Sequence, residues 1–270
     1  MPDETMSPER RAYLQRQKRS VRKIALLRFL LLVLFLLQWE ITARIGLVDA
    51  FVVSAPSRIV RTLIGMWQSG DLLLHLGTSC METVIGFTLG TLLGVLIAVL
   101  LWCSETLSRV LEPYLVVLNA LPKTALGPIF IVWIGAGTES IIAMTVAISV
   151  FVTILSVYAA FCSTDFEKIR LLQTFGASKW QTLRTLVIPG SYGALFNALR
   201  VNVGLAWVGV IMGEFLVSKA GLGYLIVYGS QVFNMDLVMA SVLLLAAAAV
   251  LMYEAVLLLE QGMKQKMGVS

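Results

Sequence analysis

From Ile24 onward the chain alternates long apolar runs with short polar breaks. Each run reaches about 20 residues, the length at which a helix crosses the hydrocarbon of a bilayer. The pattern predicts six spans: 24–45, 72–102, 107–134, 140–162, 191–215 and 237–259. Residues 46–70 form a mixed connector in which Pro56 and Ser57 open a short amphipathic helix. The expected fold class is all-α, a polytopic membrane bundle of about six helices. Its organisation is a basic N-terminal segment (1–23), a membrane domain (24–260) and a short tail (261–270). The polar leader is long and no small-x-small site follows the first run, so that run reads as a retained helix rather than a cleaved signal.

Finer patterning gives the runs individual character. Gly86, Gly90, Gly94 and Ala98 recur every four residues and line one face of the second span, where another helix backbone can approach closely. Pro113, Pro122 and Pro128 disfavour a straight third span, and Asn119 and Lys123 flank the middle proline. Irregular backbone at membrane depth is tolerated where it is buried in protein or lines a watery cavity. The polar stretch 163–189 lies between the fourth and fifth spans. Thr164 and Glu167 there fit one capping box, and Ser178 and Gln181 a second. Two short helices bent at Gly176 are expected, with Pro189 limiting the second and starting the fifth span.

Composition agrees with the pattern. Hydrophobic residues make up 58% and charged residues 14%, against roughly 25% charged in a soluble domain. The net charge of +5 does not indicate nucleic acid, because the basic residues cluster at the predicted membrane edges. Arg10, Arg11, Arg16, Lys18, Arg19, Arg22 and Lys23 precede the first run, and Arg28 can snorkel back toward them. With both ends inside, 15 of the 21 Lys and Arg fall on the inner side; Arg44, Arg58, Arg61 and Lys219 fall outside. That asymmetry satisfies the positive-inside rule and predicts cytoplasmic termini.

Candidate chemistry is sparse. No phosphate-cradling GxxxxGK[ST], no HExxH and no GxSxG occurs, so no catalytic or metal-binding residue is expected. Cys80, Cys103 and Cys162 read as small buried hydrophobes, and His75 as a residue near a membrane interface. The polar residues within spans remain: Asn119, Lys123, Arg200, Asn202, Glu214 and Glu254. Lys123 and Arg200 would suit an anionic solute; each could instead snorkel or pair internally, the reading that Arg200 and Glu254 near helix ends favour. Trp207 and Trp133 either line a path or pack.

The stretch Arg170–Pro189 resembles the cytoplasmic loop signature of ABC importer permeases: Glu-Ala-Ala, three residues, Gly, nine residues, Ile-x-Leu-Pro. Gly176 stands at the glycine, Leu186 at the isoleucine and Ile188-Pro189 at Leu-Pro. Arg170, Leu171 and Leu172 replace Glu-Ala-Ala. Further segments are similar to the nitrate/sulfonate/taurine branch. They include Pro56-Ser57, the run from Leu121-Pro122-Lys123 to Pro128, Trp133 to Gly137, Gly176-Ala177-Ser178-Lys179-Trp180, Gly204 to Trp207, Gly213-Glu214, and Gly221 to Ile226.

The resemblance implies a type I importer permease fold in the plasma membrane of a prokaryote. It implies two ATP-binding subunits, a second, identical permease, and an extracytoplasmic solute-binding protein. ATP and Mg would reside on the ATP-binding subunits, with no cofactor on this chain. Arg170, Leu171, Leu172, Gly176, Ala177, Ser178, Lys179, Trp180 and Pro189 would couple to the ATPase. Asn119, Pro122, Lys123, Asn202, Trp207 and Glu214 are the candidates for the translocation path of a small anionic solute such as a sulfonate, taurine or nitrate. A transporter driven by an ion gradient is the alternative, but it would call for an inverted repeat and midplane carboxylates, which the chain does not display. An intramembrane enzyme would need a catalytic set, and none is evident.

Overall fold

A computed structural model describes residues 8–47 and 49–267; the ends of the basic segment and of the tail lie outside them. The chain divides into two units, residues 1–62 and 63–270.

The first unit holds α1 (Pro8–Arg44), α2 (Ala50–Val53) and the start of α3 (Pro56–Ser69). In α1 the described part of the basic segment, from Pro8, and the first apolar run form one continuous helix. Leu26, Leu27, Phe29 and Leu31 stand exposed on successive faces, as lipid contact allows. The Glu40 carboxylate closes this unit. It accepts hydrogen bonds from Arg44 Nε (2.6 Å), Ser57 N (3.0 Å) and Ser57 Oγ (2.7 Å). Pro56 and Ser57 do open a helix, and Ser57 ties its first turn to the end of α1.

In the second unit, α4 (Asp71–Cys103) follows Gly70, whose φ of +84° turns the chain out of α3. Ser104 then caps α5 (Glu105–Ala120) by accepting from Leu107 N at 3.2 Å. Of the three prolines expected to interrupt the third span, one does so. Pro113 is accommodated inside α5. Pro128 sits in the first turn of α6 (Gly127–Ile134), where a missing N–H costs nothing. Pro122 marks the break: a single 3₁₀ turn, Lys123–Leu126, leads to α6, and the two arms meet at 88°.

Next come α7 (Thr138–Cys162), α8 (Phe166–Thr174), α9 (Lys179–Thr182), α10 (Ile188–Gly190), α11 (Tyr192–Val217), α12 (Leu222–Gln231) and α13 (Met235–Met267). Among the described residues, five helices are long and apolar enough to cross a membrane; the bent α5–α6 pair makes a sixth only if it counts as one span.

Helix α7 is the centre of this unit, packed between α4 and α11. The small-residue face of α4 meets a hydroxyl face of α7. A β-carbon built on Gly86 would lie 2.8 Å from Thr145 Cβ, and one on Gly94 would lie 2.5 Å from Thr153 Cβ. Gly90 faces Ser149 in the same way. On the other side, a β-carbon on Gly209 of α11 would lie 2.6 Å from Thr145 Cα. The hydroxyls are satisfied within their own helix. Thr145 Oγ1 donates to Ile141 O (2.9 Å), Ser149 Oγ to Thr145 O (3.0 Å) and Thr153 Oγ1 to Ser149 O (2.8 Å). The seam therefore combines close backbone approach with no unpaired hydroxyl. The cysteines differ from expectation: Cys80 and Cys103 are half-buried and Cys162 is exposed, because Cys162 falls at the last turn of α7 where packing ends.

Gly94→Val should overpack the seam, because Thr153 Cβ and Val150 O (3.2 Å) leave no room. A loss of about 1–3 kcal/mol is expected, read as a lowered thermal midpoint in detergent. Leu93→Val, on the exposed side of α4, should leave the midpoint nearly unchanged.

Candidate functional site

Two regions concentrate features that packing alone does not call for. The first is the 163–189 stretch. Asp165, not Thr164, caps α8: its carboxylate accepts from Glu167 N at 2.9 Å. An Asp one residue later reaches the same orphan donors with a charged acceptor, which is why it displaces the threonine. The end of α8 is a Schellman turn. Ala177 N bonds Leu172 O (3.0 Å), Gly176 N bonds Gln173 O (2.9 Å), and Gly176 takes φ +84°. The bend expected at Gly176 is present.

Ser178 then caps α9 in a reciprocal box, with Gln181 N to Ser178 Oγ at 3.2 Å and Ser178 N to Gln181 Oε1 at 2.7 Å. Pro189 does not terminate this helix as expected. The chain passes through a π-helical turn, Leu183–Val187, into α10, with Ile188 N bonded to Leu183 O. A register wider by one residue accommodates the donor that Pro189 lacks. Lys179 Nζ donates to Cys103 O at 3.4 Å, tying the loop to the end of α4.

Among its exposed polar residues the loop also presents four large apolar side chains. Phe166, Leu171, Phe175 and Trp180 are 68%, 56%, 80% and 60% exposed. Arg170 is also exposed, with its guanidinium carbon 5.6 Å from the Phe166 ring centre. Leu172 and Ala177 are half-buried beneath them.

The second region is the set of polar groups within the bundle, and they do not converge on one pocket. Lys123 and Asn119 meet at the α5–α6 break beside exposed Pro122; Lys123 Nζ donates to Asn119 O (2.8 Å) and Oδ1 (3.1 Å). Asn202 is fully buried on α11. Its amide donates to Thr153 Oγ1 (2.5 Å) and Thr91 Oγ1 (3.3 Å), while its Oδ1 has no partner and the residue lines an apolar cavity of about 350 Å³. Trp207 is buried among Val203, Ala248 and Val256. Arg200 pairs with Glu260 of α13, which also holds Lys264 at 2.9 Å. Glu254 is exposed.

Glu214 anchors a network whose other members sequence reasoning missed. Its Oε1 accepts from Ser79 Oγ (2.5 Å) and its Oε2 from Gly223 N (2.5 Å). Leu222 N donates to Ser79 Oγ (2.7 Å) and Gly221 N to His75 Nδ1 (3.0 Å). Three successive amides at the start of α12 are thus satisfied by side chains of α4 and α11, a tertiary cap. His75 is buried and stacks on Tyr224 near the start of α4. Glu82, also buried, accepts from Thr138 Oγ1 at 3.0 Å and lines a cavity of about 280 Å³ with Lys219. The signal was available: His75, Ser79 and Glu82 continue the small-residue face of α4 toward its N-terminus.

Among the described residues, no group of three or more His, Cys, Asp and Glu could hold a metal ion. Residues 90–267 match the family model of the binding-protein-dependent transport system inner membrane component. A probable ABC transporter permease protein of Haemophilus influenzae is 31% identical, covering 86% of this chain and 94% of its own. A putative aliphatic sulfonates transport permease protein of Bacillus subtilis is 30% identical over 83% and 81% of the two chains. A formylaminopyrimidine transport permease protein of Halalkalibacterium halodurans is 32% identical over 82% and 88%. In fold, the chain is similar to a structure of the inward-facing MetNI methionine ABC transporter: TM-score 0.62, 19% identity, 70% of this chain and 94% of that one.

Ser79→Ala would leave both Leu222 N–H and Glu214 Oε1 without their partner. Each unsatisfied buried group costs about 1–3 kcal/mol. Amide hydrogen exchange at Leu222 and Gly223 should therefore accelerate by about tenfold or more, while exchange in the middle of α7 should not change.

Proposed function

Because this chain belongs to the family of binding-protein-dependent transport system inner membrane components, we propose that it is the membrane-spanning subunit of an ATP-driven importer. In this reading two ATP-binding subunits hydrolyse ATP-Mg, and a second copy of the chain completes the translocation path. An extracytoplasmic binding protein delivers the solute. The termini are cytoplasmic, which requires the bent α5–α6 pair to cross, as the distribution of Lys and Arg favours.

The observation that carries the reading is the loop of α8 and α9. Exposed aromatic side chains on a lipid-spanning helix need no explanation, because lipid covers them. Here Phe166, Phe175 and Trp180 stand on short, well-capped helices in the polar stretch between two spans. Exposed apolar groups held rigidly by caps are what a docking surface requires. Closure of two ATP-binding subunits would move such loops, and the loop is joined to the spans through Lys179 to α4 and through the π turn to α11. A soluble partner that grips it can therefore bias the bundle between two arrangements.

For the solute, the support comes from one site. Lys123 uses two donors on Asn119, which leaves one N–H at a helix break for an anionic group. The relatives named for aliphatic sulfonates and for formylaminopyrimidine carry different solutes, so the anionic preference rests on Lys123.

Phe175→Ala and Trp180→Ala should each weaken co-purification with the co-expressed ATP-binding subunit by about tenfold. The thermal midpoint should not change, because both side chains are exposed. Unchanged association in both variants would contradict the docking role. Lys123→Ala should lower uptake of a sulfonate-bearing solute by about tenfold while Lys123→Arg retains most of it; equal uptake by all three proteins would remove Lys123 from the path.

A further inference from the structure

We infer that the ATP-binding subunit presents a carboxylate to Arg170, so that the docking contact pairs a cation of this chain with an anion of its partner. The inference rests on the reading of the α8–α9 loop as the docking element and adds the chemistry of the surface it meets. Arg170 lies one helical turn from Phe166 on α8, and its guanidinium is held over the face of that ring. Phe166 is itself exposed. A partner that covers this ring must therefore also cover the guanidinium.

A guanidinium taken out of water without an anion carries a desolvation penalty far larger than what the aromatic ring returns. The group that relieves it best is a carboxylate, whose two oxygens match the planar fork of donors. Among the described residues this chain does not supply one. Asp165 and Glu167 are the two acidic residues of the 163–189 stretch, against Lys168, Arg170, Lys179 and Arg184. Asp165 is committed to the cap of α8 and to Lys168 at 3.7 Å. Lys179 is committed to Cys103 O. Among the described residues no carboxylate pairs with Arg170, not even Glu167, exposed three residues before it on α8, and its donor edge remains available beside the Phe166 ring. The counter-charge must then come from the partner, and it defines which ATP-binding subunits this chain accepts: those whose docking groove is apolar with an acidic side chain at its rim.

The test uses the complete transporter in nanodiscs, with association of the ATP-binding subunit measured for the native chain, Arg170→Gln and Arg170→Glu. Removing one partner of a covered charge pair should weaken association by about 30-fold in Arg170→Gln, and reversal by more. The thermal midpoint of each permease variant should match the native one, since Arg170 is exposed. A single Asp→Arg or Glu→Arg change in the groove of the ATP-binding subunit should restore binding to Arg170→Glu and not to the native chain. Native affinity in Arg170→Glu would overturn the inference, as would a loss that no such reversal restores. An effect of Arg170→Glu that vanishes in nanodiscs of neutral lipid would assign Arg170 to anionic headgroups and overturn it as well. In each of these cases the native chain still binds and Phe175→Ala still weakens binding, so the docking role survives; failure of the native chain to bind removes both.

Discussion

The bundle depends on how closely α7 can lie against α4 and α11. In lipid there is no hydrophobic force to drive two apolar helices together, so contact must be gained through dispersion and short backbone separations. Thr145 is the point where both seams meet: Gly86 of α4 and Gly209 of α11 face it from opposite sides. A threonine hydroxyl at such a position would be costly if unpaired. It is not, because Thr145, Ser149 and Thr153 each donate to a carbonyl of α7 itself, one turn earlier or less. Their carbon faces are then free to meet glycine. Small residues on two helices and self-satisfied hydroxyls on the third form one device.

A core so closely packed makes its flanking attachments matter. The start of α12 is fixed by His75, Ser79 and Glu214, so that α4, α11 and α12 are held by polar bonds at one end of the seam. Near the other end, Lys179 and the π turn connect the loop helices to α4 and α11. On the proposed reading, displacement of the loop would pass to the same helices that the Glu214 network joins. Packed helices move as units between discrete arrangements rather than deforming smoothly. That property is what a permease needs from a bundle driven by subunits outside the membrane.

The sequence displayed some of this plainly and hid the rest for identifiable reasons. Hydropathy located the spans, because a run of about 20 apolar residues has few other uses. The Gly86–Gly94 spacing announced a close seam, and Gly176 with Ser178 announced the bend and cap of the loop. Which helix would fill the α4 seam was not visible, since threonine and serine within an apolar run read as ordinary tolerance until their four-residue spacing is set against the glycines. Proline positions were read as three breaks, yet only Pro122 breaks a helix; Pro113 shows that flanking turns can absorb the defect. The partner of His75 was not visible, because the Gly221 amide lies 146 residues away. The tertiary cap on α12 is a long-range fact, whereas the Ser178 cap is a local one.

The central claim is that the α8–α9 loop is the surface on which an ATP-binding subunit sits. Hydroxyl-radical footprinting of the reconstituted transporter tests it most directly, since aromatic side chains report their own coverage. With the ATP-binding subunit present, oxidation of Phe175 and Trp180 should fall several-fold relative to the permease alone, and that of Trp67, exposed on α3, should not change. A stable complex in which Phe175 and Trp180 remain as reactive as in the isolated chain would contradict the account.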